Sequence, residues 1–248
     1  MTLRIGTRQS RLALAQTEMF ELALRQKYPE LSVEIVKFTT RGDRILDRPL
    51  DRFVEEIEQA LRNGEIDAAV HSAKDLPVQL GEGLEISGVL PRGDHRDMLI
   101  TRKGTELSGR FTVGTGSLRR RMNLSKLYPH AVFADIRGNV DTRLRKLADG
   151  EYDAIILAAA GVERLGLSLE GFSVRKFEHT EFLPAPCQAI IAAECVFGAD
   201  CTVPVGAYSE ISGGVLRLTL SDRNGKTAYG ECPPENGAVL IKELISRL

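Results

Sequence analysis

The chain has 248 residues, 43% hydrophobic and 27% charged, with a formal net charge of -1; this excludes a disordered chain and leaves room for one large domain or two to three small ones. It has neither a run of about 18 apolar residues nor an apolar signal segment behind Met1, so no membrane role is expected and the expected location is the cytoplasm. Aromatic residues at 6%, no Trp and no basic excess count against a nucleic-acid partner.

A strand over 3–7 runs into Ser10, placed to cap a helix over 11–28 in which Leu12, Ala15, Met19 and Leu22 keep helical spacing until Pro29. Alternation predicts a strand over 33–38, then a turn at Thr39-Thr40-Arg41-Gly42-Asp43. An amphipathic helix over 53–62 is closed by Asn63-Gly64. Next comes the stretch that organises the chain, Ala68-Ala69-Val70-His71-Ser72-Ala73-Lys74-Asp75-Leu76-Pro77. It begins as a buried strand and ends in a Lys-Asp pair stopped by proline. Ligands of open α/β sheets collect beyond the carboxyl ends of strands. A solvated ion pair between Lys74 and Asp75 is the plain alternative.

Pro91-Arg92-Gly93-Asp94-His95-Arg96-Asp97 reads as a hinge, after which a related order begins again. Strands are expected over 111–117 and 132–136 and a strand entry over 150–156, with helices over 118–127 and 140–148. Gly64-Glu65-Ile66-Asp67-Ala68 returns as Gly150-Glu151-Tyr152-Asp153-Ala154, and Gly6-Thr7 with Ser10 is matched by Gly114-Thr115 with Ser117. Two matches in one order point to two similar α/β units facing each other across a cleft. The tail differs. Strands over 201–211, 215–220 and 227–231, a turn through Asn224-Gly225 and a closing helix over 237–248 make a small unit that must lean on the others.

Cationic residues concentrate between 117 and 146, opposed there only by Asp135 and Asp141. Thr115-Gly116-Ser117-Leu118-Arg119-Arg120 joins hydroxyls, a helix N-terminus and two guanidiniums, a set suited to carboxylates. Arg8 and Ser10 form the mirror set, and Arg137-Gly138-Asn139, followed by Arg143, adds more. A solvated helix face accounts for Arg121, Arg145 and Lys146, but less well for Arg8, Arg119 and Arg137 at strand-to-helix junctions. A ligand with several carboxylates, held in a cleft with one buried Asp, is the chemistry these residues describe. Cys187, Cys195, Cys201 and Cys232 lack C-x-x-C spacing, so neither a metal site nor, in a reducing compartment, a disulfide is expected.

Gly6-Thr7-Arg8-Gln9-Ser10, Thr40-Arg41-Gly42-Asp43, His71-Ser72-Ala73-Lys74-Asp75-Leu76-Pro77, Gly114-Thr115-Gly116-Ser117-Leu118-Arg119-Arg120 and Arg137-Gly138-Asn139-Val140 resemble the motifs of porphobilinogen deaminase (hydroxymethylbilane synthase). So do Leu183-Pro184-Ala185 and Cys201-Thr202-Val203-Pro204-Val205-Gly206-Ala207-Tyr208. The resemblance implies two similar periplasmic-binding-protein-like α/β domains around a cleft, residues 1–92 with 187–198 and residues 96–183. A small α+β C-terminal domain, residues 200–248, would add a three-stranded antiparallel sheet with a helix.

It further implies a cytoplasmic, monomeric transferase of heme and tetrapyrrole biosynthesis. Four porphobilinogens are joined head to tail with loss of ammonia onto a dipyrromethane primer, and hydroxymethylbilane is released by hydrolysis. Carried over residue by residue, Asp75 is the catalytic carboxylate that stabilises the cationic azafulvene, and Cys201 holds dipyrromethane as a thioether. Lys74, Thr115, Ser117, Arg119, Arg120, Arg143 and Gln188 bind that cofactor, while Arg8, Ser10 and Arg137 bind substrate; no metal is implied.

The chain departs from the family in three places. Only Leu50-Asp51-Arg52 stand where a longer lid loop is usual, and Cys187-Gln188-Ala189-Ile190 replaces Gly-Gln-Gly-Ala. Six residues separate Glu194 from Cys201 where several dozen are usual. Two other readings stand beside the transferase: a non-catalytic two-lobed binder of an acidic ligand, and a diverged paralogue acting on another pyrrole.

Overall fold

The computed structural model describes residues 2–38, 52–77, 79–196, 207–212, 215–221 and 227–233, with positions 236, 240 and 243. Thr40-Arg41-Gly42-Asp43, Leu50, Asp51, Cys201 and the run up to Gly206, the turn at Asn224-Gly225 and most of the closing helix lie outside the described residues.

β1 (Thr2–Arg8) leads into α1 (Arg11–Lys27), whose first turn is closed by Ser10, the hydroxyl accepting from the Ala13 N–H at 3.2 Å. β2 (Ser32–Phe38), α2 (Arg52–Arg62), β3 (Ala68–Ser72) and β4 (Leu84–Val89) follow. The chain then builds β5 (Asp97–Arg102), β6 (Phe111–Gly114), α3 (Leu118–Leu127), β7 (Ala131–Ala134), α4 (Val140–Ala148) and β8 (Ala154–Ala158). After α5 (Ala159–Arg164) and β9 (Phe172–Lys176) it returns to the first sheet as β10 (Ile191–Val196).

The two five-stranded sheets have matching orders, β2-β1-β3-β10-β4 and β7-β6-β8-β5-β9. In each, three parallel strands are followed by one that runs antiparallel to them, β10 or β5, and an edge strand, β4 or β9, that pairs antiparallel with it and so runs with the first three. Ile5, Phe20, Val70 and Ile191 pack one face of the first sheet and Ile57, Leu61, Ile66 and Leu84 the other. The second sheet is covered likewise, by Ile100, Leu147 and Ile155 on one side and Val113, Leu124 and Phe177 on the other. A third sheet, β11 (Ala207–Ser212), β12 (Val215–Ser221) and β13 (Thr227–Cys232), is an antiparallel meander. The two α/β units and the small third sheet expected from the sequence are thus present.

The repeated sequence motif has a physical cause. Gly64 and Gly150 end their helical segments at φ 68° and 82°, a conformation that glycine adopts without strain. Three residues on, Asp67 accepts the Arg4 N–H at 2.8 Å and Asp153 the Thr112 N–H at 2.7 Å, pinning β1 and β6 at equivalent points. Two residues further along those strands, a Cβ on Gly6 would come within 2.4 Å of Ile66, and one on Gly114 within 2.9 Å of Tyr152. Each glycine makes room for the variable residue of Gly-Glu-x-Asp in its own unit.

Five elements have no counterpart in the sequence expectations: β4, β5, α5, β9 and β10. β9 is an edge strand with four exposed positions, and α5 is a short run after an apolar strand, so neither has a periodic signal. Segments 90–97 and 183–190 cross between the sheets side by side, the Gly93 N–H donating to Ala189 O at 3.1 Å and the Gln188 side chain to His95 O at 2.7 Å. Arg11 at the start of α1 pairs with Asp141 in α4 at 3.0 Å, a second tie between the units.

Candidate functional site

β3 ends at Ser72, and Ala73–Asp75 form a single 3-10 turn that the Leu76 N–H closes on Ala73 O at 3.3 Å. That turn delivers Lys74 and Asp75 at the carboxyl end of a central strand. A cavity of about 70 Å³ opens beside it, lined by Arg8, Ser10, Gln16, His71, Ser72 and Asp75 among others. Gln16, buried on α1, donates to the Ser72 hydroxyl at 2.8 Å. Behind the cavity, His71 Nε2 and Glu194 Oε2 face each other at 3.2 Å, both side chains buried.

The second unit repeats the arrangement. Ser117 caps α3 by accepting the Arg120 N–H at 3.4 Å, and its own N–H reaches the Thr115 hydroxyl at 3.2 Å. Arg119 Nη1 donates to Asp97 Oδ2 and to Leu183 O, each at 2.7 Å. Arg120 Nε donates to Asp97 Oδ1 at 2.9 Å, and its Nη1 to Ile156 O at 3.1 Å. Burial alone would raise the Asp97 carboxyl, but Arg120 and then Arg119 outweigh it and hold it below the usual carboxylate value.

The two sides meet electrostatically. Lys74 is held below the ordinary lysine value by burial first, against the pull of Asp75, with Arg120 and Arg119 pushing the same way as burial. Its side chain still meets solvent, so it is ringed by protein rather than sealed from water. Arg143, whose Nε donates to Gly138 O at 2.7 Å, is lowered by burial and then by Arg120 and Arg137. Arg120 thus links two groups of cations, Lys74 with Arg119 on one side and Arg143 with Arg137 on the other. Arg8, Ser10 and Asp75 share the cavity beside β3. Thr115 and Gln188 are buried, Gln188 accepting from Arg119 Nη2 at a long 3.5 Å.

Two expectations need correction. Asp75 is exposed, because it sits on a turn past its strand; the buried aspartate is Asp97, at the start of an interior strand. Arg121 is not on a solvated face: its guanidinium donates to Thr115 O at 2.9 and 3.1 Å and pairs with Asp135. Cys187 is half-buried, and burial pushes its thiol up. The sequence singles out neither Gln16, Asp97 nor Glu194. Gln16 stands one helical turn after Leu12, a spacing that could have flagged it, whereas the other two gain meaning only from strand register.

An α/β protein of two matched units, with a carboxylate at a strand end facing a group of guanidiniums, is built to hold an acidic ligand beside a reactive acid. The family model described as "Porphobilinogen deaminase, dipyromethane cofactor binding domain" matches residues 3–202. The porphobilinogen deaminase of Roseiflexus sp. is 41% identical over 294 aligned positions, covering 99% of this chain and 96% of its own length. That of Roseiflexus castenholzii is 48% identical over 292 positions, covering 98% and 96%. Both alignments are longer than the 248 residues here, so each relative carries segments without a counterpart in this chain. Among solved structures, the VFT2 domain of BvgS from Bordetella pertussis aligns with a TM-score of 0.46 and 20% identity over 79% of this chain and 80% of that one. The chain belongs to the porphobilinogen deaminase family, and with it come a transferase activity in tetrapyrrole biosynthesis and a dipyrromethane cofactor. The donor set fits that group, since acidic pyrrole side chains call for several cations around one cleft.

Proposed function

We propose that this chain joins four porphobilinogens head to tail on its dipyrromethane primer with loss of ammonia, then releases hydroxymethylbilane, working as a cytoplasmic monomer. The observation that carries this reading is the position of Asp75, on a rigid turn in the cavity wall beside the cation group. The primer, when bound, supplies the free pyrrole carbon from which the chain grows. Cys201 is its attachment point, and Lys74, Thr115, Ser117, Arg119, Arg120, Arg143 and Gln188 hold its carboxylates. Arg8, Ser10 and Arg137 orient the incoming porphobilinogen.

Asp75 has the chemical task. Loss of ammonia leaves a cationic pyrrole, and a cleft lined with guanidiniums disfavours a cation. A carboxylate accepting the pyrrole N–H offsets that repulsion and stabilises the charge as it develops. In this reading residues 1–92 with 187–198 and residues 96–183 are the two halves of the cleft, and 200–248 presents the cysteine. Asp75→Asn keeps the shape but not the charge. It is expected to retain the primer and the affinity for porphobilinogen while turnover falls by about 10²–10³. Near-wild-type turnover would move the catalytic role elsewhere.

A further inference from the structure

Asp97 opens β5 in the interior of the second sheet, and its side chain has no exposed surface. Its two oxygens are shared out between adjacent arginines. Oδ2 accepts from Arg119 Nη1 at 2.7 Å; Oδ1 accepts from Arg120 Nε at 2.9 Å and lies 2.7 Å from Arg120 Nη2. Leu183 O and Ile156 O take one further N–H from each guanidinium, so both leave α3 in a single geometry. Stability alone does not account for this triad, because buried ion groups are often matched or surpassed by apolar packing of the same volume.

Charge does account for it. Lys74 lies within electrostatic reach of Arg119 and Arg120, Arg143 within reach of Arg120 and Arg137, and Asp97 is the buried acid that offsets Arg119, Arg120 and Lys74. A cleft that only tightened its grip on a polycarboxylate would lower KM without raising kcat, and would hold its product. Resting on the reading of these cations as the acidic-ligand site, we propose that Asp97 is a positioning residue: it aims Arg119 and Arg120 as one fork and cancels one of their charges, so that the cleft lets go of its polycarboxylate product.

The test compares wild type, Asp97→Asn and Asp97→Glu as full chains carrying the primer. Binding of succinate, a plain dicarboxylate probe, is measured by calorimetry, and kcat and KM are measured with porphobilinogen. In Asp97→Asn the uncancelled charge is expected to tighten succinate binding several-fold, lower KM, and lower kcat by about tenfold as release slows. Asp97→Glu restores the charge and should bring succinate binding back to within about twofold of wild type. Simple loosening of the site would instead raise KM and weaken succinate. Unchanged or weaker succinate binding in Asp97→Asn overturns the proposal. Should that variant not fold, Asp97→Glu decides alone: succinate binding near wild type supports the proposal, and a change beyond several-fold overturns it. Succinate binding is read without turnover, so a failed assignment of Asp75 leaves this result standing.

Discussion

Among the described residues, Cys187 and Ala189 are the side-chain-bearing positions at positive φ, 53° and 71°, and they flank Gln188. The turn is pinned from several sides. The Gln188 side chain donates to His95 O, Arg92 Nε donates to Gln188 O at 2.9 Å, and the Gly93 N–H and Arg164 donate to Ala189 O. A left-handed L residue costs about 1–2 kcal/mol, while the extra unfolded-state freedom of glycine returns about 0.5–1 kcal/mol of that. Cys187→Gly and Ala189→Gly should therefore each stabilise the chain by up to about 1 kcal/mol, seen as a higher urea midpoint at unchanged slope. A lower midpoint in both would mean that these side chains contribute packing that outweighs the strain. The positions where the family motif has glycine are thus positions where this backbone still demands a glycine-like conformation.

At the scale of elements, the paired motifs give a sharper comparison. A Cβ on Gly114 meets the Tyr152 ring near its base, and the far end of that ring is tied down by the Tyr152 hydroxyl, which donates to Asp135 O at 2.8 Å. At the equivalent Gly6 the nearest atom is the terminal Cδ1 of Ile66, which can rotate away. Gly114→Ala is expected to cost about 1–3 kcal/mol by overpacking. Gly6→Ala should cost visibly less in the same denaturation experiment, and equal losses would show that the tyrosine is free to shift.

These motifs were legible in the sequence because their causes are local: a cap, a turn glycine, an aspartate three residues later. α3 and α4 begin and end where capping and spacing put them. Arg8, Ser10, Ser117 and Arg119 were legible for the same reason, standing at strand-to-helix junctions. β4, β5 and β10 were not: β5 and β10 are antiparallel strands set between partners from distant parts of the chain, and β4 is an edge strand that pairs only with β10, so none leaves a local mark. Asp97 and Glu194 belong to β5 and β10, and went unseen with them.

For the molecule as a whole, the acidic residues that tie it together set its tolerance of low pH. Asp67 is held below the usual carboxylate value by the hydrogen bond from Arg4, and Asp94 by that from Arg96 with Lys176 adding. Asp97 is held down by Arg120 and Arg119 against its burial. For a carboxyl depressed in the folded state, the stabilisation is fully present above the unfolded value near 4 and is lost as pH falls through the folded one. The urea midpoint should stay level from neutral pH to about pH 5 and decline below about pH 4. A decline that begins near neutral pH would put the controlling groups elsewhere.

The central claim, that this chain is a primed, chain-building transferase, is tested most directly by intact mass. Protein from cells that make porphobilinogen should exceed its sequence mass by one dipyrromethane, with the excess on the peptide that holds Cys201. The excess should vanish in Cys201→Ser, persist in Cys187→Ser, and grow by whole pyrrole units after brief exposure of wild type to porphobilinogen. A bare chain whose mass does not change on exposure to porphobilinogen would contradict the account.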